Sequence, residues 1–236
     1  MMKFSIRRCD KCHFPVFLNF VFLLYPKNEI NMKSIVAKSL FNSHPYVEYR
    51  KIVTDLLSEG KSTGSEQSES LTNYSKLNEA RMNRLEKTIT ISDNIAAKLQ
   101  NLDNHYIWLV LSEGWCGDAA QILPILNKMA LASNKKIELK IAFRDENDDL
   151  MSHYLTNGGR GIPKVIVICK EAGIVRADWG PRPKGATELM AKHKREVGAI
   201  DEKIKTDLQL WYLADKGISV QEELVEIMEN IKYNRL

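Results

Sequence analysis

A cysteine at the boundary between a predicted strand and a predicted helix is the strongest constraint on the fold. Residues 106–111 (YIWLVL) form a short apolar run that is typical of a buried strand. The segment from Cys116 to Ala132 is predicted to be a helix, so the cysteine stands at its start. A sulfur in this position faces unpaired backbone N–H groups and the positive end of the helix dipole. Both favour the thiolate over the thiol, and the thiolate is the nucleophile in disulfide exchange.

Predicted strands and helices alternate on both sides of this cysteine. In chain order they are strand 88–91, a helix capped by Ser92, strand 106–111, helix 116–132, strand 137–143, helix 148–155, strands 164–169 and 174–178, and helix 186–197. The last two strands are joined by a link of hairpin length. This order predicts an α/β fold in which a mixed sheet has helices on both faces.

Helices are also predicted on either side of this unit. Their expected ranges are 33–57, broken into two helices at 42–45, then 71–85, 201–214 and 219–233. Ser219 and Glu222 form a capping box at the start of the last helix. Its apolar stripe is expected to pack into the core and consists of Val220, Leu224, Met228 and Ile231.

The first 31 residues leave three interpretations open. Basic residues precede an apolar run from Phe14 to Tyr25, which is the order of parts in a signal peptide. Pro15 and Asn19 interrupt that run, no small-residue cleavage site follows, and the run is too short to span a bilayer. The segment could instead be an upstream start that is not part of the working protein, or an ordered extension. The chain is therefore divided into residues 1–31, a helical region 32–86, an α/β domain 87–197 and C-terminal helices 198–236.

Composition excludes several classes of function. The chain has 34 Lys and Arg against 30 Asp and Glu, and this net charge of +4 is too small and scattered for a nucleic-acid-binding surface. The four cysteines do not form the dense pattern of a secreted disulfide scaffold, which favours a reducing cytoplasm. Cys9 and Cys12 have the spacing of half a metal or redox site, but no second ligand pair follows, so we expect no metal and no cofactor. Membrane association is expected only if residues 1–31 are a signal.

Four motifs in chain order resemble the thioredoxin superfamily. They are Trp115-Cys116-Gly117, Pro124 within the following helix, Gly161-Ile162-Pro163, and Trp179-Gly180. The resemblance covers about residues 87–197 and implies a thioredoxin-like fold with Cys116 as the active-site cysteine. It also implies that Pro163 is cis and lies opposite Cys116, and that Trp115, Ile162, Pro163 and Trp179 form a substrate groove together with Gly117, Gly161 and Gly180.

The sequence departs from the thioredoxin motif at two positions. Ala119 occupies the place of the second active-site cysteine, and Asp118 stands where thioredoxin has proline. Without a second thiolate, Cys116 can attack a disulfide but cannot resolve the mixed disulfide, so an external thiol is required. Asp118 favours the helix dipole but repels the nearby thiolate. It is expected either to begin the helix or to pass a proton to the leaving thiol.

Two arginines and one further cysteine complete the candidate residues. Arg160 and Arg182 would face the groove and bind a thiolate or the carboxylate of a small thiol, unless they are solvated at the surface. Cys169 is expected to be structural, because it stands at the far end of the strand that follows Pro163. The sequence therefore predicts a thiol–disulfide oxidoreductase with a single nucleophilic cysteine, whose partners are protein or small-molecule thiols and disulfides. The alternative is a non-catalytic thioredoxin-fold module that binds proteins.

Overall fold

Strand β2 (Tyr106–Ser112) is the centre of the sheet. The computed structural model describes the backbone of residues 27–233 and the side chains of residues 31–231. In this part of the chain the sheet has five strands in the order β1-β3-β2-β4-β5. The bounds of the other strands are His44–Pro45 (β1), Ile137–Phe143 (β3), Lys164–Cys169 (β4) and Ile174–Trp179 (β5).

Both neighbours of β2 are strands that the sequence predicts. β2 is parallel to β3 and antiparallel to β4, and β4 and β5 form the expected hairpin. All residues of β2 except Ile107 are buried, as the continuous apolar run predicts for a strand covered on both faces. The mixed α/β fold is therefore confirmed. The far edge is closed by β1, a two-residue strand that lies antiparallel to β3.

Nine α-helices surround this sheet within residues 27–233. Their bounds are Lys27–Phe41 (α1), Tyr46–Ser58 (α2), Glu69–Thr88 (α3), Asp93–Gln100 (α4), Gly117–Ala132 (α5), Asp148–Ser152 (α6), Lys184–Val197 (α7), Glu202–Asp215 (α8) and Ile218–Tyr233 (α9). A 3₁₀ turn, Arg144–Glu146, follows β3. Helix α1 spans the boundary that was predicted between residues 1–31 and the helical region 32–86. The signal-like run and the Cys9/Cys12 pair lie outside the described residues. No helix in the described range is long and apolar enough to cross a bilayer.

The flanking helices share one core with the sheet. Helix α3 packs along α5, and α9 packs against α4, α5 and β5. Tyr49, Val53 and Met82 from the N-terminal region are each at most 1% exposed. The stripe on α9 is buried as expected. The N-terminal and C-terminal helices therefore stabilise the sheet directly, because each removes apolar surface of the same core from water.

The strand predicted at residues 88–91 is wrong. Helix α3 continues to Thr88, and the segment after it is extended but pairs with no strand of the described residues. The carbonyl oxygen of Thr90 accepts instead from the side-chain amide of Gln221, at 3.4 Å. The alternating pattern arises because Ile89 is buried and Ile91 packs on the core from a single extended segment.

Two helix boundaries also differ from the prediction. Ser219 is not an N-cap, because α9 already begins at Ile218 and the backbone N–H of Ser219 donates to Asp215 at 3.2 Å. The carboxylate of Asp215 thus accepts the N–H of Ser219, which Glu222 would accept in a capping box. The helix expected at 148–155 is only Asp148–Ser152, since the backbone N–H of His153 turns back to Leu150.

Candidate functional site

Cys116 is the N-cap residue of helix α5. Its Sγ accepts from the backbone N–H of Ala119 at 3.5 Å, and it lies 3.3 Å from the carbonyl oxygen of Ile162, to which the thiol donates. The helix begins here because the chain leaves β2 through a tight loop, in which the N–H of Cys116 donates to the carbonyl of Glu113. The sulfur is thus fixed between the start of a helix and the 161–163 loop.

The 161–163 loop is held by a second loop after β5. The Ile162–Pro163 peptide bond is cis, and so is Gly180–Pro181. Gly180 has φ +113°, and a Cβ at this position would lie 2.3 Å from the carbonyl oxygen of Pro163, so only glycine fits. A Cβ on Gly161 would lie 3.0 Å from Pro181. The two loops therefore form one tightly packed wall beside Cys116.

Asp118 is a buried carboxylate in the first turn of α5. Its Oδ1 accepts from the hydroxyl of Tyr212 at 2.9 Å, and its Oδ2 lies 2.6 Å from the guanidinium of Arg182. The three residues join the loop after β5 and the C-terminal helix α8 to the start of α5. Buried charges require such partners, because desolvation of an isolated carboxylate is costly.

The environment of Cys116 disfavours its thiolate. Burial raises the pKa of the thiol to about 12, and the negative charge of Asp118 adds to this increase. The N–H groups of Ala119 and Asp118 and the charge of Arg182 lower the pKa by less. The residue is only 7% exposed. At neutral pH the resting form is the thiol, so burial and Asp118 outweigh the helix effect that the sequence emphasises.

The N-terminal helices hold the loop that precedes Cys116. Asn78 of α3 donates to the carbonyl of Gly114 at 3.0 Å, and Arg81 donates to Asn78 at 2.9 Å. The hydroxyl of Thr63 accepts from the N–H of Gly114 at 2.8 Å. Residues from the region 32–86 therefore line the site itself, which the sequence analysis leaves open.

Glu113 is a functional candidate that sequence reasoning missed. It is fully buried, its carboxylate accepts from the hydroxyl of Thr63, and its Oε1 accepts from the N–H of Asp145 at 3.0 Å. Burial raises the pKa of this carboxyl. Its place between the apolar run and Trp115 is the only signal in the sequence, and nothing there predicts burial.

The structure brings some predicted residues together and separates others. Cys116, Asp118, Ile162 and Arg182 form one connected cluster through the contacts given above. Arg160 does not belong to it, because its guanidinium pairs with Asp148 on α6 and lies 3.9 Å from Asp145.

The two tryptophans and Cys169 have other surroundings. Trp115 is half-buried, and the guanidinium of Arg144 lies 4.8 Å from its ring centre. Trp179 is buried, and its indole N–H donates to Glu223 of α9 at 2.7 Å. Cys169 pairs in register with Tyr106, the first residue of β2, whereas Cys116 follows the other end of that strand. Both described cysteines are free, and no cluster of three or more metal-binding side chains occurs in the described range.

Residues 64–196 of the chain are similar to a known protein family. A family model described as Thioredoxin matches residues 64–196, which is more than half of the chain. The chain belongs to the thioredoxin superfamily. The match includes α3, whose Asn78 and Arg81 lie at the site.

Two solved structures are similar to this chain to different degrees. A protein of unknown function from Pseudomonas aeruginosa has a TM-score of 0.52 and 18% sequence identity, over 65% of this chain and 85% of that one. An HIV epitope-scaffold has a TM-score of 0.49 and 18% identity, over 79% and 99% of the two chains. No curated protein matches the sequence. At these identities, likeness to the Pseudomonas protein supports the thioredoxin-like fold and nothing about chemistry.

Proposed function

We propose that this protein catalyses thiol–disulfide exchange through the single nucleophile Cys116, in a reducing cytoplasm. The observation that carries the proposal is the position of Sγ, which caps helix α5 and lies 3.3 Å from the carbonyl of Ile162 beside Pro163. A disulfide substrate that approached along this loop would have one of its sulfur atoms close to Cys116. Protein and small-molecule disulfides are both candidates.

The reaction has two steps. The Cys116 thiolate attacks one sulfur of a disulfide, the new Cys116–substrate disulfide forms, and the other sulfur leaves as a thiolate. Because Ala119 replaces a second cysteine, an external thiol then attacks the mixed disulfide. That step returns Cys116 to its reduced form and oxidises the external thiol to a disulfide with the substrate.

Asp118 and Arg182 act as positioning residues in this proposal. The carboxylate of Asp118 is already used by Arg182 and Tyr212, which supports an anchoring role for Asp118 rather than that of a proton shuttle. The raised pKa of Cys116 means that attack is slow at neutral pH and accelerates as the pH rises. Substrates must therefore be held long enough to react with a rare thiolate.

A second candidate is a binding module without redox activity. The pKa of about 12 for Cys116 and its low exposure favour this candidate, because a thiol that remains protonated does not exchange. In that case the groove binds a partner through non-covalent contacts alone. The two candidates differ in whether Cys116 forms a covalent adduct.

The test is the reaction of the reduced protein with 5,5′-dithiobis(2-nitrobenzoate) across alkaline pH, with each cysteine followed by mass spectrometry. We expect a mixed disulfide at Cys116 that forms faster as the pH rises and is released by added thiol. Cys116→Ser should abolish this adduct, whereas Cys169→Ser, which alters the other described free cysteine, should retain it. A Cys116 that stays unmodified in the folded protein at every pH would overturn the exchange reaction and leave the binding module.

A further inference from the structure

A groove of about 250 Å³ lies between helices α3 and α8, beside the first turn of α5. Its lining includes two arginines, two glutamines and two leucines: Arg81, Arg84, Gln121, Gln209, Leu210 and Leu213. We call this surface the α3–α8 groove. Neither Cys116 nor the loop at Pro163 contributes to its lining.

The groove carries positive charge that forms no salt bridge with an acidic side chain in the part of the chain that the structure describes. Arg81 and Arg84 are three residues apart on α3, so both project from the same side of the helix. Neither guanidinium forms a salt bridge with a carboxylate of the described residues. Arg81 donates to the amide oxygen of Asn78, and burial together with Arg84 lowers its pKa. The two like charges are thus close to each other, and within the described residues neither is held in a salt bridge.

Asp118 does not supply that counter-charge. It attracts Arg81 electrostatically, but the guanidinium of Arg182 and the hydroxyl of Tyr212 already bind its carboxylate oxygens. A carboxylate from another molecule would neutralise Arg81 and Arg84 without displacing an existing ion pair. Arginine binds carboxylates with paired N–H donors, so the site has the right chemistry for an acidic group.

The opposite wall of the groove is apolar and exposed. Leu210 and Leu213 of α8 are 56% and 53% exposed, which leaves aliphatic surface next to the two arginines. Between the walls, Gln121 donates to Gln209 at 2.7 Å and forms a polar floor. Exposed apolar surface with adjacent fixed charges is typical of a site for a protein segment.

We propose that the α3–α8 groove binds an extended acidic segment of a partner protein, whose carboxylates pair with Arg81 and Arg84 while an apolar side chain contacts Leu210 and Leu213. The groove also borders the residue after Cys116, because a Cβ on Gly117 would lie 3.5 Å from Nη1 of Arg81. A bound segment would therefore lie next to the start of α5. The inference does not depend on thiol chemistry, since binding requires no reaction at Cys116.

The experiment measures fluorescence anisotropy of a labelled peptide of alternating glutamate and leucine, with reduced full-length protein. The matched peptide carries glutamine in place of glutamate. The protein variants are Arg81→Gln, Arg84→Gln, their combination, and Leu213→Ser, with the exposed Arg195→Gln as the control outside the groove. Circular dichroism checks that each variant is folded.

We expect saturable binding of the glutamate peptide that weakens about tenfold or more in the double arginine variant, because two charge-assisted contacts are lost. Leu213→Ser should also weaken binding of the glutamate peptide. Arg195→Gln should leave its affinity unchanged. The glutamine peptide should bind the unaltered protein only weakly. Amide NMR shifts of Gly117, Gln121 and Gln209 should follow the titration.

No binding up to about 1 mM, or no effect of the double variant, overturns the proposal. Equal affinity for free N-acetylglutamate would make the groove a small-anion site and also overturn it.

Discussion

The hydroxyl of Tyr212 donates a 2.9 Å hydrogen bond to Oδ1 of Asp118, across 94 positions of the sequence. This bond joins C-terminal helix α8 to the first turn of the helix that Cys116 caps. Burial and Asp118 raise the pKa of the Tyr212 hydroxyl well above its usual value, so it remains a proton donor throughout the physiological range. The C-terminal helix is thus part of the site.

Tyr212→Phe should destabilise the protein by about 1.5–3 kcal/mol, because the buried carboxylate of Asp118 loses one of its donors. Urea unfolding followed by circular dichroism measures the free energy of unfolding. Tyr74→Phe is the matched control, since Tyr74 is 40% exposed, and it should change stability by less than about 0.5 kcal/mol. Equal effects of the two variants would show that the bond to Asp118 contributes nothing.

Asp118→Asn should lower the pKa of Cys116. The variant removes the negative charge that repels the thiolate. The positive charge of Arg182 stays and is no longer offset by the carboxylate, so both effects lower the pKa of Cys116. The pH dependence of iodoacetamide alkylation, followed at Cys116 by mass spectrometry, gives this pKa. Asp149→Asn, which changes an exposed carboxylate on α6, should leave this pKa unchanged. An unchanged or higher pKa in Asp118→Asn would contradict the electrostatic explanation.

Folding stability should decline above pH 8.5 because of Cys116. The thiol has a pKa of about 12 in the folded protein and about 8.5 when unfolded, so the folded state binds more protons between these values. Its contribution is complete below the unfolded pKa and is lost as the pH rises towards the folded pKa, by up to about 1.4 kcal/mol per pH unit. Unfolding in urea at pH 7.0–10.0 tests this. Cys116→Ser, which has no thiol, should lose less stability over that range; identical slopes would refute the assignment.

Gly180→Ala should destabilise the protein by more than Gly158→Ala. Both glycines have positive φ, but a Cβ on Gly158 meets no atom within 4 Å, whereas one on Gly180 meets the carbonyl oxygen of Pro163 at 2.3 Å. Gly158→Ala should therefore cost about 1 kcal/mol, and Gly180→Ala at least about twice that amount, because backbone atoms must also move. Thermal unfolding measures both. Similar losses would mean that the loops at Pro163 and Gly180 separate easily.

Sequence patterns predicted the parts of the fold that depend on neighbouring residues. The local apolar run at residues 106–111 predicts strand β2, and the local motif Trp115-Cys116-Gly117 predicts the place of the cysteine after it. The Asp118–Arg182–Tyr212 cluster joins three distant segments, and no periodicity predicts which of them meet. The same limit explains Glu113, whose burial depends on Thr63 and on the N–H of Asp145. The strand expected at 88–91 failed because a side chain, Gln221, took the bond that a neighbouring strand would have made.

The bond between Asp118 and α8 also limits when the site can form during synthesis. Tyr212 follows Cys116 by 96 positions (212 − 116), so it leaves the ribosome after the strand and the helix that hold the cysteine. Until then Asp118 lacks its tyrosine donor. Asp118 therefore gains its tyrosine donor only after helix α8 has been synthesised, later than the strand and the helix that hold Cys116.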